Sequence, residues 1–156
     1  MPLPQYATRI RPEWIDSNGH MNLAYYVVVF DRATDAVFDA LGIGDAYRAA
    51  SGNSCFVVET HTLYEREVIE GEDVVVATRL LGVGAKRLHF VHEMRRAQGG
   101  ERVALHELLC LHIDMRARRA APWPAAPRAA LAAAVAAESV LARPRGVGRR
   151  VGQKPD

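Results

Sequence analysis

The spacing of polar and apolar positions changes along the chain, and the longest uniform stretch opens at Asn22. Tyr6 to Ile15 reads as a first strand that runs into a polar knot, Asp16-Ser17-Asn18-Gly19-His20-Met21-Asn22. Asn22 suits the N-cap of a helix, and Gly42 suits its stop. Between them lie about five turns without Gly or Pro, with Asp31, Arg32, Asp35 and Asp39 at helical spacing. The run Val27-Val28-Val29-Phe30 has strand character, but the whole segment is too long for an ordinary strand. Leu23 to Phe30 is apolar on every side, which predicts a helix wrapped by other structure.

A loop from Gly42 to Asn53 separates this helix from strand patterns over Ser54–Arg66, Val74–Val83, Lys86–Arg96 and Arg102–Asp114. Turns at Glu70-Gly71-Glu72-Asp73, Gly82-Val83-Gly84 and Gln98-Gly99-Gly100 join them. One long helix and then strands on short turns predict an α+β domain, an antiparallel sheet of five or six strands curled around the helix. After Arg116 the character changes. Pro122-Trp123-Pro124 punctuates the chain, and Pro127 can start an alanine-rich surface helix over Arg128 to Leu141. The expected organisation is a main domain over 1–118, a Pro/Ala-rich segment with a surface helix over 119–142, and a basic tail over 143–156.

Composition narrows the class. With 156 residues, 49% hydrophobic and 24% charged, the chain is expected to be one globular domain with a real core. No apolar run reaches the length of a membrane span and MPLPQYATRI lacks a signal pattern, so the expected location is cytoplasmic, without a membrane partner. Cys55 and Cys110 sit in apolar strand-like runs and read as buried, reduced thiols. The net charge of +2 is uneven: Arg143, Arg145, Arg149, Arg150 and Lys154 face only Asp156 in the tail, leaving 15 basic and 17 acidic residues before it. Such a tail is expected to be solvated and disordered, with no nucleic-acid partner.

Several hydrolase mechanisms are excluded by missing motifs. There is no G-x-S-x-G elbow, no H-E-x-x-H, no paired Cys-x-x-Cys and no phosphate-binding P-loop. His89 and His92 are three apart on a strand and point to opposite faces, so no shared metal ion is expected. Glu59 and His61 alternate with Val57 and Leu63 on one strand face, opposite Val58, Thr60 and Thr62. A carboxylate and an imidazole in an apolar strand are costly to bury unless paired or functional. Glu59 therefore reads either as one half of a salt link or as a working carboxylate. Lys86, Arg87 and His89 open the fourth strand, where they are a solvated edge or a grip for phosphates.

The stretches WIDSNGHMN, AYYV, FDRATDA, FVVETHTLYE and TRLLGVGAKRLHFVHEM carry a resemblance. Over residues 5 to about 116 the chain resembles the hotdog-fold acyl-CoA thioesterases, in particular the 4-hydroxybenzoyl-CoA thioesterase-like group. Its wording is most similar to a branch associated with betainyl-CoA thioesterases of carnitine breakdown. The resemblance implies hydrolysis of a small acyl-CoA with no cofactor besides the coenzyme A of the substrate. It also implies a homodimer or homotetramer whose sites draw on two chains. Asp16 matches the family's loop acid and would be nucleophile or general base, with the amides of Asn22, Leu23 and Ala24 polarising the carbonyl. Asn18 and His20 depart from the commonest family loop; His20 can orient water, bind substrate or tune Asp16. On this reading Glu59 is a second carboxylate, acting as base or as the anion facing a cationic acyl group. Trp14, Tyr25 or Tyr26 adds cation–π contact, with His61 beside them, and Lys86, Arg87 and His89 grip the phosphates. Two other readings stay open: a hotdog enoyl-CoA hydratase, whose D-x-N-P-x-H loop is one residue longer than the loop here, and a non-catalytic acyl-CoA-binding module.

Overall fold

A computed structural model describes residues 2–153. Its elements are β1 (Tyr6–Arg9), a 3-10 turn (Pro12–Trp14), α1 (Leu23–Ala40), α2 (Asp45–Ser51), β2 (Asn53–Tyr64), β3 (Asp73–Val83), β4 (Arg87–Arg96), β5 (Arg102–Asp114), β6 (Arg119–Ala120) and α3 (Ala125–Glu138). The sheet order is β1-β3-β4-β5-β2, antiparallel throughout, with β6 paired to the end of β5. It curls around α1 as the hotdog fold requires. No helix among the described residues is long and apolar enough to cross a membrane.

The pleat decides which residues reach α1. On β3 to β5 the inward positions include Val74, Val76, Leu88, Phe90, Met94, Ala104 and Cys110, all fully buried. They form two apolar clusters. One surrounds the first half of α1, with Tyr26, Val29 and Phe30; the other surrounds Phe38, Trp123 and Leu131. Between the clusters, His92 and His106 stack on Phe30 at centroid distances of 5.8 and 4.8 Å. Thr34 donates to the Phe30 carbonyl and so receives the His92 Nε2–H at 2.8 Å, while Thr78 lies 2.8 Å from Nδ1. Burial, reinforced for His92 by the neighbouring His106, pushes both imidazoles down, His92 to about 3 and His106 to about 4. Both are neutral core residues.

The structure departs from the sequence reading in five places. The first strand stops at Arg9, because Pro12 starts a 3-10 turn instead. The Gly42–Asn53 loop contains α2, capped by Gly52 at φ +72°. Along β2 the register slips between Val57 and Glu59, so the expected alternation fails: Val57 shares the α1 side with Cys55, whereas Glu59, His61 and Leu63 face away from the helix. The start of α1 is not enclosed on every side either. Leu23 and Val27 are 62% and 40% exposed, and Phe56, Val57 and Val58 on the unpaired edge strand β2 are exposed too.

The fifth departure is the tail. Residues 143–153 do not float free, although 154–156 of the same segment lie outside the described residues. α3 covers the free edge of β3, where Glu138 accepts from the Leu80 amide and Arg79 donates to the Ala142 carbonyl. The chain then crosses the outer sheet face as a strap. Arg102 donates to the Arg145 carbonyl (2.9 Å) and Gly148 N donates to Glu107 (2.7 Å). At Gly146, φ +101°, a Cβ would meet Leu63 and Leu105 at 2.8 and 3.0 Å, so only glycine lets the strap lie this close. Both thiols are free, and burial raises them, Cys110 to about 12.

Candidate active site

The polar knot folds into a tight loop closed by its own backbone. Ile15 bridges to Met21, Asp16 N donates to the His20 carbonyl at 3.1 Å, and Gly19 N donates back to the Asp16 carbonyl at 3.0 Å. Gly19 sits at φ +80°, a left-handed turn position. This geometry holds Asp16, half-exposed, immediately before α1. Its Oδ1 accepts from the Asn18 amide at 2.8 Å and its Oδ2 from the Asn22 side chain at 3.1 Å. The Asn18 amide most strongly, then Asn22 and the nearby His20, hold the carboxyl below its usual range against a partial loss of solvation. Asp16 is therefore an ionised carboxylate at neutral pH.

Asp16, Asn18 and His20 open into a cavity of about 310 Å³ walled by Leu23, Tyr26 and the 64–67 segment. Tyr26 donates to the Arg66 carbonyl at 3.0 Å and meets Tyr64 edge-on at 5.2 Å. The His20 ring lies 3.3 Å from the Met21 carbonyl and 3.8 Å from Glu67.

Of the three amides expected to polarise a carbonyl, two are occupied. Asn22 N donates to the Trp14 carbonyl (2.9 Å), and Ala24 N donates to the Asn22 side chain (3.0 Å). Among the described residues only Leu23 N of the three lacks a protein acceptor, at the positive end of α1.

The remaining candidates lie elsewhere in the chain. Trp14 is 4% exposed, stacks on Tyr25 at 5.7 Å and carries the Arg11 guanidinium at 5.3 Å, and neither aromatic lines the Asp16 cavity. Glu59 and His61 line a second cavity of about 380 Å³ on the outer sheet face, with His89, Glu107 and Arg149. There His89 Nε2 lies 2.7 Å from Glu107, an ion pair when the ring is protonated rather than a phosphate grip. The bulge at Val57/Glu59 turns Glu59 to the outer face, and five residues of β2, about 16 Å, separate it from Tyr64 at the Asp16 cavity. Lys86 and Arg87 are exposed at the far end of the sheet: Glu65 and Arg66 bond to Val103 of β5, whereas Arg87 pairs with Leu111. Eight residues of strand separate those points, about 26 Å. Conversely, sequence reasoning missed Tyr64, Glu65, Arg66 and Glu67 as walls of the Asp16 cavity. Their only signal was the mixed charged and aromatic run LYERE at a strand end.

An antiparallel sheet curled around one central helix, with an ionised carboxylate at the helix start, defines the architecture as a hotdog domain. Residues 10–135 match the thioesterase-like superfamily, and the chain belongs to that family of thioester hydrolases. It is 40% identical over 153 residues to a betainyl-CoA thioesterase of Pseudomonas aeruginosa, covering 98% of this chain and 96% of that one. It is 35% identical to an L-carnitine dehydrogenase/betainyl-CoA thioesterase of Rhizobium meliloti, where 98% of this chain matches 31% of the longer protein. Among solved structures, a putative thioesterase of Pseudomonas putida superposes with TM-score 0.82 at 33% identity, covering 99% of both chains. A Staphylococcus aureus protein solved in complex with CoA shares the fold, with TM-score 0.88 at 21% identity, covering 99% and 98%.

Proposed function

We propose that the chain hydrolyses betainyl-CoA, or a closely related small acyl-CoA, at the Asp16 cavity. The observation that carries the reading is the ionised Asp16 carboxylate, held by Asn18 and Asn22 beside the unpartnered Leu23 amide. As general base, Asp16 takes a proton from water as its oxygen adds to the thioester carbonyl. Leu23 N–H and the helix dipole stabilise the oxyanion, which collapses to release the coenzyme A thiolate; the proton on Asp16 neutralises it. As nucleophile, Asp16 instead forms an acyl anhydride that water opens, with the same amide serving both steps.

The 40% identical relative named for betainyl-CoA supports a cationic acyl group. In this chain Glu67, with its side chain 69% exposed, and the ring of Tyr64, 46% exposed, are the groups in the cavity suited to a trimethylammonium head. They replace Glu59 and the buried or stacked aromatics Trp14, Tyr25 and Tyr26 in that role. The unpaired edge of β2, with Phe56, Val57 and Val58 exposed, supports assembly into a dimer along β2 that closes the cavity with a second chain.

The test is thiol release from betainyl-, 4-hydroxybenzoyl-, acetyl-, hexanoyl- and crotonyl-CoA, with the native protein and Asp16→Asn. Rapid release from betainyl-CoA, lowered at least about a thousandfold in the variant, is expected. Undiminished turnover in Asp16→Asn would refute the assignment. Loss of the crotonyl-CoA enoyl absorbance without thiol release would identify a hydratase, and silence throughout would leave binding alone.

A further inference from the structure

A third cavity, of about 500 Å³, adjoins the Asp16 cavity and shares Tyr64, Glu65 and Arg66 with it. That shared wall is the end of β2 and the bend after it, where Glu65 N and Arg66 N both donate to the Val103 carbonyl. The remaining lining is unusual in its charge: Arg66, Arg102, Arg145 and Arg149 face only Glu65 and Glu101. The two glutamates are already engaged. Glu65 receives a two-pronged bond from Arg102 at 2.9 and 2.7 Å, and Glu101 takes both Arg66 and Arg96. Arg145 and Arg149, both on the C-terminal strap, have no carboxylate partner among the described residues. Arg149 also has its Nε buried without an acceptor, and it lines the next cavity along the sheet as well.

We infer that the strap arginines Arg145 and Arg149 form an anion subsite for the phosphates of the coenzyme A nucleotide. The inference rests on the thioesterase reading, because it places the thioester at Asp16 and leads the pantetheine arm along Tyr64 to Arg66. Two guanidiniums without carboxylates, on a rim already neutralised elsewhere, suit a multiply charged oxyanion. The tail, the most basic part of the sequence, thereby contributes to substrate binding.

Calorimetric titration with coenzyme A and with pantetheine, which lacks the nucleotide, tests this on the full chain. The native protein is expected to bind coenzyme A at least about tenfold more tightly than pantetheine, with the advantage shrinking as salt rises. Arg145→Ser/Arg149→Ser should lose that advantage and bind pantetheine unchanged, while Arg145→Lys/Arg149→Lys should keep most of it. Equal native affinity for the two ligands, or full retention in the serine pair, overturns the subsite. A protein that hydrolyses no thioester yet prefers coenzyme A keeps the subsite and loses the hydrolase reading. One that turns over coenzyme A and pantetheine thioesters with equal KM does the reverse.

Discussion

Asn22 ties Asp16 to the central helix. Its side-chain nitrogen donates to Asp16 Oδ2 at 3.1 Å while its oxygen accepts from the Ala24 amide at 3.0 Å. One residue thus caps α1 and aims the carboxylate, so the fold and the chemistry meet in a single amide. Replacing it separates the two contributions. Asn22→Ala should lower stability by about 1 kcal/mol, the loss of an N-cap. It should also lower kcat by roughly tenfold to a hundredfold, because a loosened carboxylate is misplaced.

The same variant has a pH signature. Asp16 is held below the usual carboxylate range in part by the Asn22 donor, so removing that donor raises its pKa. A base must be deprotonated to act, and the acid limb of the kcat/KM profile should therefore move to higher pH in Asn22→Ala. An unmoved limb, measured from about pH 3 to 7, would mean that Asp16 is not the titrating base.

Asn22 as a cap, the length of α1 and the long strands were legible in period and punctuation, which are local properties. The bond from Asn22 to Asp16 was not, because it depends on how the loop between them closes. The face of Glu59 was misassigned for a similar reason: one extra residue at the Val57/Glu59 bulge reverses every side chain after it, and nothing in the alternation marks the slip. α2 was hidden by its shortness and its glycine flanks, Gly44 and Gly52. The seat of the tail depends on Gly146 meeting Leu63 and Leu105, residues far from it in sequence.

The neutral histidines predict acid sensitivity of the core. His92 and His106 have folded pKa values of about 3 and about 4, below the unfolded value near 6.5. Between those limits the unfolded chain binds protons that the folded chain does not. Their contribution is complete above about pH 6.5 and is lost as pH falls towards about 4 and then about 3. The slope is on the order of 1 kcal/mol per pH unit for each histidine. Urea unfolding at about pH 7, 5.5 and 4.5 should show a falling midpoint at constant m. His106→Phe, placing another ring against Phe30, should flatten the fall.

α3 has one fully buried anchor. Leu131 is completely enclosed among Phe38, Trp123 and their neighbours, and the rest of the helix is mostly alanine at the surface. Leu131→Ala should cost about 2–5 kcal/mol locally. The loss should appear first as faster hydrogen exchange along α3 and at the Leu80 amide, which bonds to Glu138. Exchange rising uniformly across the sheet instead would show that α3 does not open on its own.

The open flank beside β2 predicts the assembly. β2 has a neighbour on one side only, and its free edge lies next to Phe56, Val57 and Val58, exposed by 39%, 43% and 52%. On α1, Leu23 and Val27 are exposed apolar residues as well, and the helix carries no charge before Asp31. An unpaired edge with apolar flanks is what a second copy pairs with, and a charge there is what prevents pairing. Sedimentation velocity should find the native protein as a dimer or larger at micromolar concentration. Val27→Asp/Val58→Asp should shift it towards monomer, with little loss of helical circular dichroism. Because Leu23 lines the Asp16 cavity and is itself 62% exposed, kcat/KM should fall with the dimer that covers it. A native monomer with full activity would contradict both the interface and the two-chain site.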